Sequence, residues 1–212
     1  MSELALREEI IAIARAMNAQ AINRGKSGNV SARVEAGFLV TPTGLSYEAM
    51  RPEDIVAMTL EGAARGTRAP SPEWRFHRDI YAVRIEVRAI VHAHSSFATT
   101  LACLGRGIPA FHYMVALAGG KDIRCAPYAT FGTQALSDGA LSALEGRRAC
   151  LLANHGMIAT GATLADALAL AVEVEALAEQ YWRALQIGEP RLLSEAEMVV
   201  VPEKFATYGQ PR

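Results

Sequence analysis

The sequence predicts an α/β fold in which a sheet is covered by helices on both faces. Helical and strand periodicities follow one another in mixed order, the length of 212 residues suits one core, and no linker rich in Pro, Gly or Ser divides the chain. Apolar positions Leu6, Ile10, Ile11, Ile13, Ala14 and Met17 give a first helix, broken by Asn23-Arg24-Gly25-Lys26-Ser27-Gly28. Short strands are expected at Val30–Val34, Phe38–Thr41 and Ile55–Thr59. Ser71-Pro72-Glu73 then reads as a helix start, with Ser71 as N-cap and Pro72 in the first turn, where its missing N–H is harmless. That helix runs over Glu73–Val83, followed by a strand at Ala89–His94 and a helix at Phe97–Leu104. Strands at Ala149–Ala153 and Met157–Thr160 precede a long helix, Thr163–Leu185, opened by the capping-box-like Thr163-Leu164-Ala165-Asp166. Without repeats or low-complexity tracts, residues 1–212 read as a single domain.

Composition narrows the function. The 21 basic and 22 acidic residues nearly balance, so there is no electrostatic case for nucleic acid or an anionic membrane as partner. Cys103, Cys125 and Cys150 are odd in number and set among apolar residues, which argues for reduced thiols and a cytoplasmic location. Leu4 to Met17 carries Arg7, Glu8, Glu9 and Arg15, which a signal-peptide core would not tolerate, and no apolar run is long enough to span a bilayer.

Chemistry concentrates at a few places. His92-Ala93-His94 ends an apolar strand, and side chains at i and i+2 share a strand face, so both imidazoles can bind one metal. His155 appears at the end of another apolar run, in Leu151-Leu152-Ala153-Asn154-His155-Gly156. Three neutral imidazoles with an open position describe a catalytic zinc site, and Glu73 at a helix N-terminus is placed to be an ionised carboxylate. Two turns, Ser27-Gly28-Asn29-Val30-Ser31 and Thr41-Pro42-Thr43-Gly44, put glycine beside short polar side chains, a composition that lets backbone N–H groups converge on an anion. Ser71 adds a hydroxyl and helix-start N–H groups, which bind phosphate without a lysine or arginine. His77 shares a helix face with Glu73 and reads as a structural hydrogen-bond partner beneath the site; His112 also reads as structural.

Ser71 to His77, His92-Ala93-His94, the run from Phe111-His112-Tyr113 through Ala126-Pro127-Tyr128-Ala129-Thr130-Phe131-Gly132, Asn154-His155-Gly156 and Lys204-Phe205-Ala206-Thr207-Tyr208-Gly209 together resemble the class II aldolase/adducin family over nearly the whole chain. The resemblance implies a three-layer αβα sandwich around a mainly antiparallel sheet. It implies zinc, or another divalent metal, on Glu73, His92, His94 and His155, and a phosphate held by Gly28, Asn29, Thr43, Gly44 and Ser71. Many relatives have a second serine where this chain has Pro72, so one hydroxyl and one N–H are missing from that grip. The implied reaction is reversible cleavage of a ketose 1-phosphate, either L-fuculose 1-phosphate or a 5-deoxy- or 5-methylthio-pentulose 1-phosphate, into dihydroxyacetone phosphate and a small aldehyde. Glu73 would move the proton at C3, Tyr113 and Tyr208 would serve the C4 oxygen, and Phe131 and Phe205 would wall the aldehyde end. The tail from about residue 200 to 212 would contribute to a site, and a homotetramer with interfacial sites is implied. Rival members are a ribulose-phosphate 4-epimerase, a methylthioribulose-1-phosphate dehydratase and a non-enzymatic adducin-like interaction domain; Ala118-Gly119-Gly120-Lys121 resembles the aldolases and lacks the epimerase's extra acid.

Overall fold

The computed structural model describes residues 2–207. Its elements in chain order are α1 (Glu3–Ala19), β1 (Asn29–Val34), β2 (Gly37–Val40), β3 (Val56–Met58), β4 (Ala64–Arg65), α2 (Trp74–Val83), β5 (Ala89–Ala93), α3 (Ser96–Cys103), β6 (Arg124–Ala126), α4 (Gln134–Ala143), β7 (Ala149–Leu152), β8 (Gly156–Gly161), α5 (Leu164–Ile187) and α6 (Glu195–Thr207). The strands form one sheet in the order β4-β3-β2-β1-β5-β8-β7-β6, and every pairing is antiparallel except β6 with β7. The expected αβα sandwich with a mainly antiparallel sheet is therefore what the chain forms.

Strand alternation divides the apolar residues between two cores. Val30, Ala32, Leu39, Val91, Leu151 and Met157 pack with Ile10, Leu101, Val174 and Leu177, so α1, α3 and α5 lie on one face. Phe38, Val40, Ile90, Cys150 and Ile158 pack with Phe76, Ile80, Leu136 and Ala140, so α2 and α4 lie on the other. Burial on both faces explains why β5, β7 and β8 read as almost continuous apolar runs rather than as half-exposed strands.

Two expectations need adjustment. Regular α2 starts at Trp74, with Glu73 in the N-cap position, so Ser71 does not cap it directly; its Oγ accepts the Glu73 N–H at 3.3 Å and closes the preceding turn. Four elements also lie outside the sequence reading. β4 and β6 are too short to carry a period, α4 contains the poor helix formers Ser137, Asp138 and Gly139, and α6 runs through Pro202, which local rules read as a break.

The start of α3, directly after His94, is pinned from α5. Ser95 provides no side-chain cap. Instead the Glu175 carboxylate accepts from Ser95 Oγ at 2.6 Å, Phe97 N at 2.8 Å and Ala98 N at 2.8 Å. Replacing this carboxylate by an amide turns one acceptor into a donor facing donors. Glu175→Gln is expected to cost about 1.5–3 kcal/mol of stability; urea unfolding checks this, and an unchanged midpoint contradicts the capping role.

Candidate metal centre and substrate cleft

The centre is assembled at the end of β5, where three backbone segments approach closely. Asn29 of β1 pairs with His92 on one side, and Ile158 of β8 pairs with it on the other. His94 lies just beyond β5 and His155 just before β8, so antiparallel pairing brings them to the same end of the sheet. The approach requires glycine on both sides. A Cβ on Gly156 would lie 2.5 Å from the Ala93 carbonyl oxygen, and one on Gly28 would lie 2.6 Å from that of His92. Asn154, with a left-handed φ of 55°, completes the turn that aims His155.

Alternation sends His92 toward the α2 face, where Glu73 stands at the helix start. Glu73 Oε2 lies 3.2 Å from His92 Nε2, and Oε1 lies 3.1 Å from His155 Nε2. His94 Nε2 is 3.0 Å from His92 Nε2. The three rings form a propeller, with centroids 4.8–4.9 Å apart and interplanar angles of 75–78°. One ligand atom from each of Glu73, His92, His94 and His155 lies within 4.8 Å of the others.

This donor set fits a divalent cation. His92 Nδ1–H donates to the Met157 carbonyl at 2.8 Å, which leaves the Nε2 lone pair pointing inward in the neutral ring. Glu73 Oε1 is buried and, although 3.1 Å from His155, lies outside hydrogen-bonding geometry and has no hydrogen-bond partner. An orphaned buried carboxylate oxygen is costly unless a cation meets it. Burial pushes the Glu73 carboxyl up, but His92 and His155 outweigh this and hold it well below the usual carboxylate range. Burial, reinforced by charge on His92 and His155, pushes His94 down to about 3, keeping it in the neutral form that a metal needs.

His77 stands outside the ligand set and is fully buried, as a hydrogen-bond partner should be. It lies 2.6 Å from Asn29 Oδ1 and 2.7 Å from Ser31 Oγ. The Asn29 amide donates to Glu73 Oε2 at 2.9 Å and its backbone pairs with His92 in the β1–β5 ladder, so Asn29 is committed to holding the centre. His112 accepts the Met114 N–H at 3.2 Å and caps the short 3-10 turn Tyr113–Ala118, in keeping with a structural role.

A cleft of roughly 330 Å³ opens at the centre, lined among others by Gly28, Thr43, Gly44, Ser71, Glu73, Phe131, His94 and His155. That volume is at the lower end of the small-molecule range, about 300–1,000 Å³. The N–H groups of Thr43 and Ser71 are already spent on the carbonyls of Ala69 and Thr41, so each has only its hydroxyl to offer an anion. Sequence reasoning missed Lys26, Tyr128 and Asn154, which also line the cleft. The Lys26 ammonium donates to the Gly44 carbonyl at 2.8 Å, tying the two glycine turns together and placing positive charge on the rim. Its signal was its position directly before Ser27-Gly28-Asn29-Val30-Ser31, the turn that reads as an anion cradle. Tyr113 and Phe205 are not brought to this cleft; they meet each other, ring centroids 6.1 Å apart, with Tyr113 49 % exposed. Tyr208 lies outside the described residues.

The sequence pattern of the Class II Aldolase and Adducin N-terminal domain matches residues 8–182, and the chain belongs to that family. It is 60 % identical over 208 residues to the 5-methylthioribulose-1-phosphate/5-deoxyribulose-1-phosphate aldolase of Rhodospirillum rubrum, covering 98 % of this chain and 94 % of that one. The L-fuculose phosphate aldolase of Escherichia coli strain K12 is 46 % identical over 205 residues, covering 96 % of this chain and 95 % of the other. A solved L-fuculose 1-phosphate aldolase superposes with a TM-score of 0.92 at 41 % identity, covering 94 % of this chain and 95 % of that structure.

His77 yields a prediction about pH. Burial, with charge on His92 acting in the same sense, pushes its imidazole down to about 3. The unfolded chain takes up a proton near pH 6.5, which folded His77 refuses until about pH 3. Its contribution to stability is therefore present above pH 6.5 and is lost as pH falls toward 3. Urea unfolding at pH 7 and pH 5 should show a smaller loss in His77→Gln than in the parent; an equal loss contradicts the assignment.

Proposed function

We propose that this chain is a zinc-dependent aldolase, an aldehyde-lyase of carbohydrate metabolism. It reversibly cleaves L-fuculose 1-phosphate or a 5-deoxy- or 5-methylthio-pentulose 1-phosphate to dihydroxyacetone phosphate and a small aldehyde. The observation that carries this reading is the junction, in one cleft, of the Glu73, His92, His94 and His155 donor set with the glycine turns and Ser71. Relatives named as aldolases of ketose phosphates at 46–60 % identity support it.

Glu73, His92, His94 and His155 would hold the metal, and three imidazoles with one carboxylate suit zinc. When bound, zinc supplies Lewis-acid polarisation of the substrate's carbonyl and hydroxyl oxygens. The 1-phosphate is gripped by the Thr43 and Ser71 hydroxyls, the backbone of Gly28 and Gly44, and the Lys26 ammonium, with Asn29 behind them holding Glu73. Pro72 also lines the cleft but contributes no N–H. Glu73 lines the same cleft as the phosphate cradle, within reach of a substrate held there. In the condensation direction the Glu73 carboxylate takes a proton from C3 of dihydroxyacetone phosphate, the electrons of that C–H bond form the C3–C4 bond, and the former aldehyde oxygen takes a proton from a phenol to become the C4 hydroxyl. Cleavage is the reverse, with the phenolate taking the C4 hydroxyl proton and the protonated Glu73 returning one to C3. Tyr113 and Tyr208 are the phenols, and Phe131 and Phe205 wall the aldehyde end. An apolar wall separates a methyl from a hydroxymethyl terminus by only about 1–3 kcal/mol, so selectivity at that end is loose.

Tyr113 and Phe205 sit away from their own cleft, which supports a homotetramer in which they serve a neighbour's centre and the C-terminal tail completes it. Among the described residues no helix is long and apolar enough to cross a membrane. The three free cysteines fit a reducing cytoplasm.

Two outcomes are expected. The metal-loaded protein should release dihydroxyacetone phosphate from L-fuculose 1-phosphate and from 5-deoxyribulose 1-phosphate. Chelation should abolish this, and Glu73→Gln should slow it by about two to four orders of magnitude. Full activity without metal contradicts the reading, as does epimerisation of ribulose 5-phosphate with no dihydroxyacetone phosphate from any 1-phosphate. Mixed oligomers of inactive His92→Ala and Tyr113→Phe chains should regain part of the activity, since some interfaces combine an intact centre with an intact phenol. No rescue in confirmed mixed oligomers contradicts the interfacial site.

A further inference from the structure

We propose that His77, Ser31 and Tyr81 are positioning residues that determine which oxygen of Glu73 exchanges the proton, an inference resting on the role given to Glu73 above. Glu73, His77 and Tyr81 follow one another at four-residue intervals from the N-cap of α2, steps of about 6 Å along a single helix stripe. Asn29 and Ser31 share one face of β1, about 6.6 Å apart. The two spacings match closely enough for the rungs to interdigitate. From the centre outward, Asn29 Nδ2 reaches Glu73 Oε2 at 2.9 Å, Asn29 Oδ1 meets His77 Nε2 at 2.6 Å, His77 Nδ1 meets Ser31 Oγ at 2.7 Å, and Ser31 Oγ meets the Tyr81 hydroxyl at 2.8 Å.

Chemistry gives this ladder one direction. A carboxylate only accepts, so Asn29 turns its NH₂ to Glu73 and its carbonyl to His77. That carbonyl only accepts, so His77 carries its proton on Nε2 and receives the Ser31 hydroxyl proton at Nδ1. Ser31, having given its proton, accepts from Tyr81. Asn29, Ser31, His77 and Tyr81 are each no more than 2 % exposed, so water does not replace a rung. Phe76 lies against the His77 ring, centroids 4.5 Å apart, and limits its other partners.

The consequence falls on the two carboxylate oxygens. Oε2 is tethered by Asn29, whereas Oε1 has no hydrogen-bond partner. Oε1 is the oxygen that faces the centre, and once substrate takes the place of Glu73 there it is the one free to exchange a proton. Without His77 the Asn29 carbonyl loses its buried donor and the carboxylate alone orients the amide, so the tether on Oε2 loosens.

Nitrogen-15 NMR of the zinc-loaded wild type, with His77 assigned, reads the tautomer directly. The expected signature is a protonated Nε2 and an unprotonated Nδ1; the opposite tautomer overturns the proposal. Zinc affinity by chelator competition and steady-state kinetics on L-fuculose 1-phosphate are then compared for His77→Leu, which loses the donor, and His77→Gln, which can restore an N–H to Asn29. His77→Leu should lose about 10- to 100-fold in kcat and zinc affinity with KM little changed, and His77→Gln should recover most of it. A folded His77→Leu with wild-type kcat and affinity overturns the proposal, and so does a His77→Gln as impaired as His77→Leu. If His77→Leu does not fold, the wild-type tautomer decides. A wild type that binds zinc at no site and releases no dihydroxyacetone phosphate would instead overturn the aldolase reading, while the tautomer would still report on the ladder.

Discussion

Antiparallel pairing of β5 with β8 sets His92 opposite Ile158 and Ala93 opposite Met157, and every other feature of the centre is built on that register. It brings the end of one strand beside the beginning of the next, so His94 and His155 meet although they are distant in sequence. It also supplies the Met157 carbonyl that fixes the His92 ring. Because side chains alternate across a strand, a slip of one residue would turn His92 into the apolar core shared by α1, α3 and α5. Apolar packing on both faces of the sheet therefore protects the register and the centre alike.

Placing four such groups together carries an electrostatic cost that the surroundings manage in two ways. Three imidazoles and a buried carboxylate within 4.8 Å of each other leave a carboxylate oxygen without a partner, a cost that a cation removes. Supporting bonds come from elements that do not contribute ligands. Asn29 of β1 holds Glu73, and Glu175 of α5 holds the chain just after His94. The candidate ligands thus stand on or at the ends of well-packed elements, His92 within β5, His94 and His155 at the adjoining ends of β5 and β8, and Glu73 at the start of α2. The substrate cradle is left to turns such as Thr43-Gly44 at the cleft.

Much of this was legible in the sequence where one local pattern carried the information. His92-Ala93-His94 at a strand end, His155 after an apolar run and Glu73 after Ser71-Pro72 each announced a position, and the sheet brought them together. What escaped depended on partners remote in sequence. Asn29 reads as part of a glycine turn, yet its amide is taken by Glu73 and His77, 44 and 48 residues away. Ser71 reads as a helix cap with free N–H groups, yet its own N–H is bound to the Thr41 carbonyl. Lys26 lies in the segment that breaks the first helix, and only the fold sets its ammonium on the Gly44 carbonyl. α4 and α6 were hidden by Gly139 and Pro202, whose local preferences are overridden by tertiary packing.

The central claim is that one metal ion sits inside the propeller of His92, His94 and His155 beside Glu73. Anomalous scattering from crystals of the zinc-loaded protein tests it most directly. The account predicts a single ordered peak in the cleft, with three imidazole Nε2 atoms at about 2.0–2.1 Å and a Glu73 oxygen at about 2.0–2.2 Å. A peak that leaves out His155 or Glu73, or zinc ordered only elsewhere on the chain, would contradict it.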